Sequence, residues 1–238
     1  MTDDSFWDSP PDQYLARHGE FRLTVVHAPY PGPEGRLAAH DALQAGQFAA
    51  AFGTVDAVLD DLGILPATDP VPFAVRADLD LVRVGCWGNV TEIRDPALAN
   101  LSGTFPVDEQ VDALAERFPD AVIIASAIVD HSTRWGAWKI VHPRGVNVFA
   151  AGWSGEPDWD FEGDPAAVIA AFGIEADRIA HEGIAIDDEP DAFDWSGLTR
   201  LALARVAPLD RRNLDASVFR VRHTEEATGD MEDTWIEH

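Results

Sequence analysis

The sequence predicts an α+β fold, with one antiparallel or mixed central sheet and helices mainly on one face. Three observations carry this. Residues 121–129 (AVIIASAIV) form the longest apolar run, broken only by Ser126. A strand apolar on both sides is covered on both sides or lies mid-sheet. Residues 137–142 and 146–152 then flank His142-Pro143-Arg144-Gly145, where Pro at the first corner and Gly two residues later fit a type I turn closed by a glycine bulge. Strands, hairpin and helices otherwise follow without regular βαβ alternation, which argues against a doubly wound sheet.

Taken in order, residues 14–18 offer a helical turn at most. EFRLTVVHA (20–28) alternates as a first strand, with Phe21, Leu23 and Val25 on one face. PYPGPEG (29–35) is a loop, because its prolines and glycines sustain neither ladder. The alanine-rich 38–52 reads as helix. A short helix is expected over 55–62, capped by Thr54 and stopped by Gly63, because Val55, Val58, Leu59 and Leu62 share a helical face. After the proline-rich PATDPVPF, residues 79–84 read as a strand that turns through Cys86–Asn89 into 90–93. A helix over 108–118 follows. Asp164-Pro165 starts another as N-cap and N1, and Gly173 ends it. Residues 195–206 form the best helix and 217–222 the last strand, and the polar tail docks as one turn through Met231, Trp235 and Ile236.

The 238 residues are enough for a sizeable core and are read as one domain over 1–238. GTVDAVLDDLGI (53–64) and GDPAAVIAAFGI (163–174) share a pattern, as do DLDLVRV (78–84) and DASVFRV (215–221). Two related halves, 14–105 and 106–223, are the corresponding expectation, set against the fact that any glycine-stopped amphipathic segment looks like this.

With 46% hydrophobic residues and eight Trp, this is a packed chain, yet its formal charge is −25. Such a charge repels phosphate backbones and anionic lipid, so no nucleic-acid or membrane partner is expected. Lys139 is the only lysine among seventeen basic side chains, a balance read as genomic. The acidic start MTDDSFWDSPP lacks a signal-peptide pattern, and the longest apolar run is too short to span a bilayer, so a cytoplasmic location is expected. The lone Cys86 excludes an intrachain disulfide and a cysteine zinc cluster. No HExxH or His/Cys spacing and no glycine-rich phosphate loop is present, so neither metal nor cofactor is expected.

Candidates for chemistry are few. Asp130-His131, at the end of the central strand, could serve as acid, base or ligand, although neighbours on an extended chain point to opposite faces. His27, His142 and His223 also lie near strand ends. From 156 to 194 there are thirteen carboxylates against Arg178 alone, interleaved with Trp159, Phe161, Phe193 and Trp195. Residues 196–223 then hold six arginines against Asp210 and Asp215. Either the acidic loops fold over this segment as surface ion pairs, or Arg220 and Arg222 stay open to grip a carboxylate or phosphate.

The stretches MTDDSFW, ATDPVPFAVRADLDLVRVGCWGNVTEI, FDWSGLTRLAL and VFRVRHTEEATG resemble a family of acidic actinobacterial proteins, mainly from streptomycetes, classified only as a domain of unknown function. The resemblance runs the length of the chain. It implies a bacterial cytoplasmic setting and carries no activity, cofactor or functional residue.

Two functions are therefore expected as alternatives. One is an interaction module of the inhibitor or immunity type, binding a basic protein through Trp159, Phe161, Phe193 and Trp195. The other is a small-molecule enzyme or binder. Its pocket would lie at the C-terminal end of the central strand, where Asp130 or His131 meets Arg220, Arg222 or His223.

Overall fold

In the computed structural model, which describes residues 6–101, 103–185 and 189–236, the two-faced apolar run becomes a strand buried on both sides. The strands are β1 (His18–Val26), β2 (Val55–Pro66), β3 (Leu81–Trp87), β4 (Val90–Arg94), β5 (Val122–Asp130), β6 (Arg134–His142), β7 (Val146–Trp153), β8 (Asp160–Glu162) and β9 (Asp215–His223). The helices are α1 (Ala42–Ala50), α2 (Pro106–Arg117), α3 (Pro165–Phe172), α4 (Ala176–Glu182), α5 (Trp195–Val206) and α6 (Glu225–Trp235). One sheet takes all nine strands in the order β2-β9-β3-β4-β1-β5-β6-β7-β8. Every neighbouring pair is antiparallel. The α+β class and the antiparallel central sheet are as the sequence indicates.

The helices are not mainly on one face. Alternation along β5 sends Ile123, Ala125, Ala127 and Val129 into a core with α1, α2 and α6. Val122 and Ile124 enter a second core under α3, α4 and α5. The reason is in β5 itself: a strand apolar on both sides needs cover on both sides.

Local signals place several elements. Asp164 accepts from the Ala166 N–H, Pro165 opens α3, and Gly173 closes it in the left-handed region at φ 59°. Gly145 takes φ 83° in the β6–β7 turn, its N–H donating to the His142 carbonyl at 3.1 Å. The indole of Trp138 lies across Gly136 on the same strand, where an added Cβ would sit 2.1 Å from the ring. Trp87 and Gly85 repeat the arrangement at 2.1 Å. Glycine at these two strand positions makes room for a flat ring.

Three expectations fail. Residues 55–62 are not a helix but the first part of β2, paired with β9 through three register irregularities. Of the apolar stripe read as core-facing, Val55 and Val58 do pack on the core, but Leu59 at 53% and Leu62 at 46% are exposed. The edge of β9 needed a partner, and that tertiary demand overrode the helical spacing. The segments that suggested related halves thus take different structures, 53–64 in a strand and 163–174 in a helix. The tail is a helix of three turns, not one, with Met231, Trp235 and Ile236 buried and Trp235 packed on Phe21 and Phe73. Helix α4 and strand β8 had no sequence reading. Among the described residues no helix is long and apolar enough to cross a membrane.

Candidate anion site

Strands β5, β1, β4 and β3 lie side by side, and one row across them is unusual. Arg94 of β4 stands directly opposite Arg83 of β3. Arg22 of β1 lies one step beyond the Leu23–Ile93 pair, beside Arg94, and opposite Ser126 of β5. The row Ser126–Arg22–Arg94–Arg83 covers three strand spacings, roughly 14 Å. Like charges placed directly opposite on a sheet destabilise it. Three adjacent guanidiniums therefore need a counter-charge.

Glu92 supplies it. Two residues before Arg94, its side chain points to the same face and is only 6% exposed. It accepts from Arg94 Nε at 3.3 Å and from Arg211 Nε at 3.2 Å. Arg211 arrives from the loop after α5, with its guanidinium 5.0 Å above the Trp87 ring. Burial pushes the Glu92 carboxyl up, but Arg22, Arg211 and Arg94 outweigh it and hold it below the ordinary range. Arg83 is pushed down to about 10, first by burial and next by Arg94. It donates to the Asp69 carbonyl. Among the described residues Arg83 has no ion pair, and Arg22 has neither ion pair nor hydrogen bond.

The row opens into a cavity because β4 is short. With β4 ending at Arg94, the first half of β1 pairs with β5 alone. The chain leaves the sheet through the turn at Pro96–Leu98, where the Asp95 side chain caps the Ala97 N–H at 2.9 Å. Prolines 70 and 72 keep the loop before β3 out of any ladder, and it walls the resulting notch. The cavity is about 430 Å³, within the size range of small-ligand sites. Arg22, Arg83, Arg94 and Ser126 line it on one side, and Phe21, Pro70, Val71 and Phe73 on another. Glu20, Thr68, Asp69, Pro70 and Pro72 are the exposed part of its lining, and Glu20 and Asp69 carry its exposed carboxylates. The Asp78 carboxylate is already engaged, accepting from the Ala74 and Val75 N–H groups at 2.8 and 3.0 Å.

The residues singled out from the sequence lie elsewhere. Asp130 is on the exposed end of β5, paired with Arg134 at 2.8 Å, and His131 is exposed beside Ser132. His223 is fully buried on β9, its Nε2 3.0 Å from Asp95 Oδ1, while Thr54 Oγ1 donates to the other Asp95 oxygen at 2.5 Å. Three strands separate β9 from β5. Asp130, His131 and His223 therefore share no concavity. Arg222 is paired with Asp56 at 2.6 Å, and Arg220 stands opposite Asp60. Of the other arginines in 196–223, Arg200 reaches Glu182 in the acidic stretch, Arg205 donates to the Phe172 carbonyl, and Arg212 pairs with Asp210.

The four aromatics do not form one exposed patch. Phe193 and Trp195 are 6% and 2% exposed, packed 4.5 Å apart, with Trp195 Nε1 donating to the Pro190 carbonyl. Trp159 is half-buried and stacks on Trp138, which leaves Phe161, 39% exposed, on β8. These rings anchor the acidic loops to the core.

One pair imitates a nucleophile and base. His40 Nε2 lies 2.9 Å from Ser217 Oγ. Its Nδ1, however, accepts the Cys86 N–H at 3.2 Å, so the proton sits on Nε2 and the ring donates to the serine. The Cys86 thiol is pushed up to about 11, chiefly by burial, which leaves it inert. Among the described residues no group of three or more His, Cys, Asp or Glu side chains is placed to hold a metal.

Sequence reading missed the arginine row because Arg22 lies far along the chain from the β3–β4 hairpin that carries Arg83 and Arg94. The signal was a lone arginine inside each apolar strand, in EFRLTVV, LVRVGCW and VTEIR. Comparison with curated proteins and with solved structures finds no match to the chain. A family model does match, over residues 6–238, and its description is a family of unknown function, DUF6333. The chain belongs to that family.

Proposed function

We propose that the protein binds a small organic anion in the notch beside β4. The carrying observation is the row Arg22–Arg94–Arg83 lining a cavity of about 430 Å³, with one buried carboxylate, Glu92, against four guanidiniums. In a chain of net charge −25, so concentrated a set of cations is the feature least explained by solubility. Guanidiniums grip carboxylates and phosphates through paired N–H groups. Binding rather than turnover is favoured because Ser126, the one hydroxyl in the row, has no hydrogen-bonded base among the described residues.

The test is calorimetric titration with acetate, hexanoate, succinate and inorganic phosphate, on the wild type and on Arg22→Gln. Arg22 has no ion pair or side-chain hydrogen bond to lose among the described residues, but it is the first of the charges that hold the Glu92 carboxylate, so the substitution lowers the melting temperature of the unliganded protein and the titration is run where both proteins are folded. Loss of one charge-assisted contact, worth about 1.5–3 kcal/mol, weakens the bound anion about 10- to 100-fold. Equal affinity in the two proteins sinks the proposal.

A second reading is favoured by the exposed Phe161, flanked on the edge strand β8 by Asp160 and Glu162, both exposed. It is a reduced form of the basic-partner surface. Phe161→Ser then lowers capture of a cationic protein at low salt by about tenfold, as expected for a hot-spot residue. Unchanged capture removes this reading.

A further inference from the structure

We infer, resting on the anion-binding reading, that the ligand is a dicarboxylate with an apolar spacer, laid along the row from Ser126 to Arg83. The argument begins with which cations are already satisfied. Arg94 and Arg211 share Glu92, each through a direct hydrogen bond. Arg22 and Arg83 have no carboxylate within ion-pair distance among the described residues. The two cations without a direct carboxylate bond therefore flank one that has it.

Their strands are two spacings apart, roughly 9–10 Å. One carboxylate cannot reach both ends of that span while gripping either bidentately, whereas two joined carboxylates can. The cavity is continuous over this length, since Ser126 and Arg83 line the same space. At the β5 end the Ser126 hydroxyl stands directly opposite Arg22, giving that head a second donor. Ser126 is the single polar break in the apolar run of β5, and this position gives the break a use. Between the two heads stands Arg94, its Nε engaged with Glu92, and Pro70 and Val71 line the same space and offer an alkyl spacer apolar contact.

The experiment titrates the full chain with the linear dicarboxylates from succinate to sebacate and with the matched monocarboxylates hexanoate and octanoate. The expected result is an affinity maximum in the middle of the dicarboxylate series, about tenfold or more tighter than the matched monocarboxylate. Arg22→Gln abolishes that advantage, and Ser126→Ala reduces it in part, with a cavity change small enough to leave the fold intact. Equal binding of mono- and dicarboxylates, both weakened by Arg22→Gln, overturns this inference and leaves the anion site standing. Binding insensitive to Arg22→Gln, or no binding by either series, overturns both.

Discussion

Replacing Glu92 by Gln is expected to cost the fold about 3–5 kcal/mol, the range for removing one member of a buried ion pair. The substitution keeps shape, so no cavity enters the difference. Among the described residues it removes the only buried carboxylate beside Arg22, Arg83, Arg94 and Arg211. Arg211, with a side chain 7% exposed, cannot recover water, and Arg94, 41% exposed, can. The cost therefore falls mainly on the Arg211 side, and Arg94→Gln is expected to be mild. Urea melts of the two variants check this, and equal midpoints would contradict it. The same carboxylate sets the acid limit. Glu92 and Asp95 are both held below their ordinary values of 4.5 and 3.8. Burial opposes this and is outweighed by the arginines at Glu92 and by His223 at Asp95. Groups depressed in the folded state contribute stability above their unfolded pKa and lose it as the pH falls through the folded one. Unfolding midpoints should hold from neutral pH down to about 4.5 and fall below that.

The second large effect concerns Lys139. Its side chain is 1% exposed, on β6 beneath α2, bonded to Asp108 and 3.2 Å from Asp112 one turn further on. Ala125 stands opposite it on β5 and Phe149 on β7, the latter ring 5.7 Å from Nζ. A small neighbour on one side and an aromatic on the other fit a slender ammonium better than a planar guanidinium. Replacing Asp108 and Asp112 together by Asn leaves that ammonium buried without a counter-charge, at a cost of about 3 kcal/mol or more. Lys139→Met alone should be near neutral, and combined with the double change it should recover most of the loss. Melts of the three variants close the cycle. A triple variant no more stable than the double would place the cost in α2 itself.

How much of this was legible depends on the range over which each signal acts. Helix α5 and the turn at Pro143–Gly145 were readable because a periodic stripe, or a proline and glycine in register, is decided within one turn of chain. Strand β2 was not, since Val55, Val58, Leu59 and Leu62 keep a helical spacing and only the open edge of β9 makes them extended. The cover on both faces was implied by the apolar run around Ser126, although the helices that supply it carry no label of which side they take. The arginine row was invisible for a stronger reason. Arg83 and Arg94 face each other through the β3–β4 hairpin, but Arg22 joins them only through the pairing of β1 with β4, which no local pattern records. Lys139 was visible as the sole lysine. Its meaning needed Asp108 and Asp112 overhead.

Glu20 and Asp69, exposed on the cavity lining, have a kinetic consequence. An anion approaching this protein first meets the field of a chain of net charge −25, and at the cavity these two carboxylates stand beside the guanidiniums. Encounter is opposed at long range and rewarded only at contact. Salt screens the long-range part first, with a Debye length of about 30 Å at 0.01 M and about 10 Å at 0.1 M. The association rate of an anionic ligand, followed by stopped flow, should therefore rise with added salt over that interval, the reverse of a steered encounter. A rate that falls would mean that the arginines project past the rim and command the approach themselves.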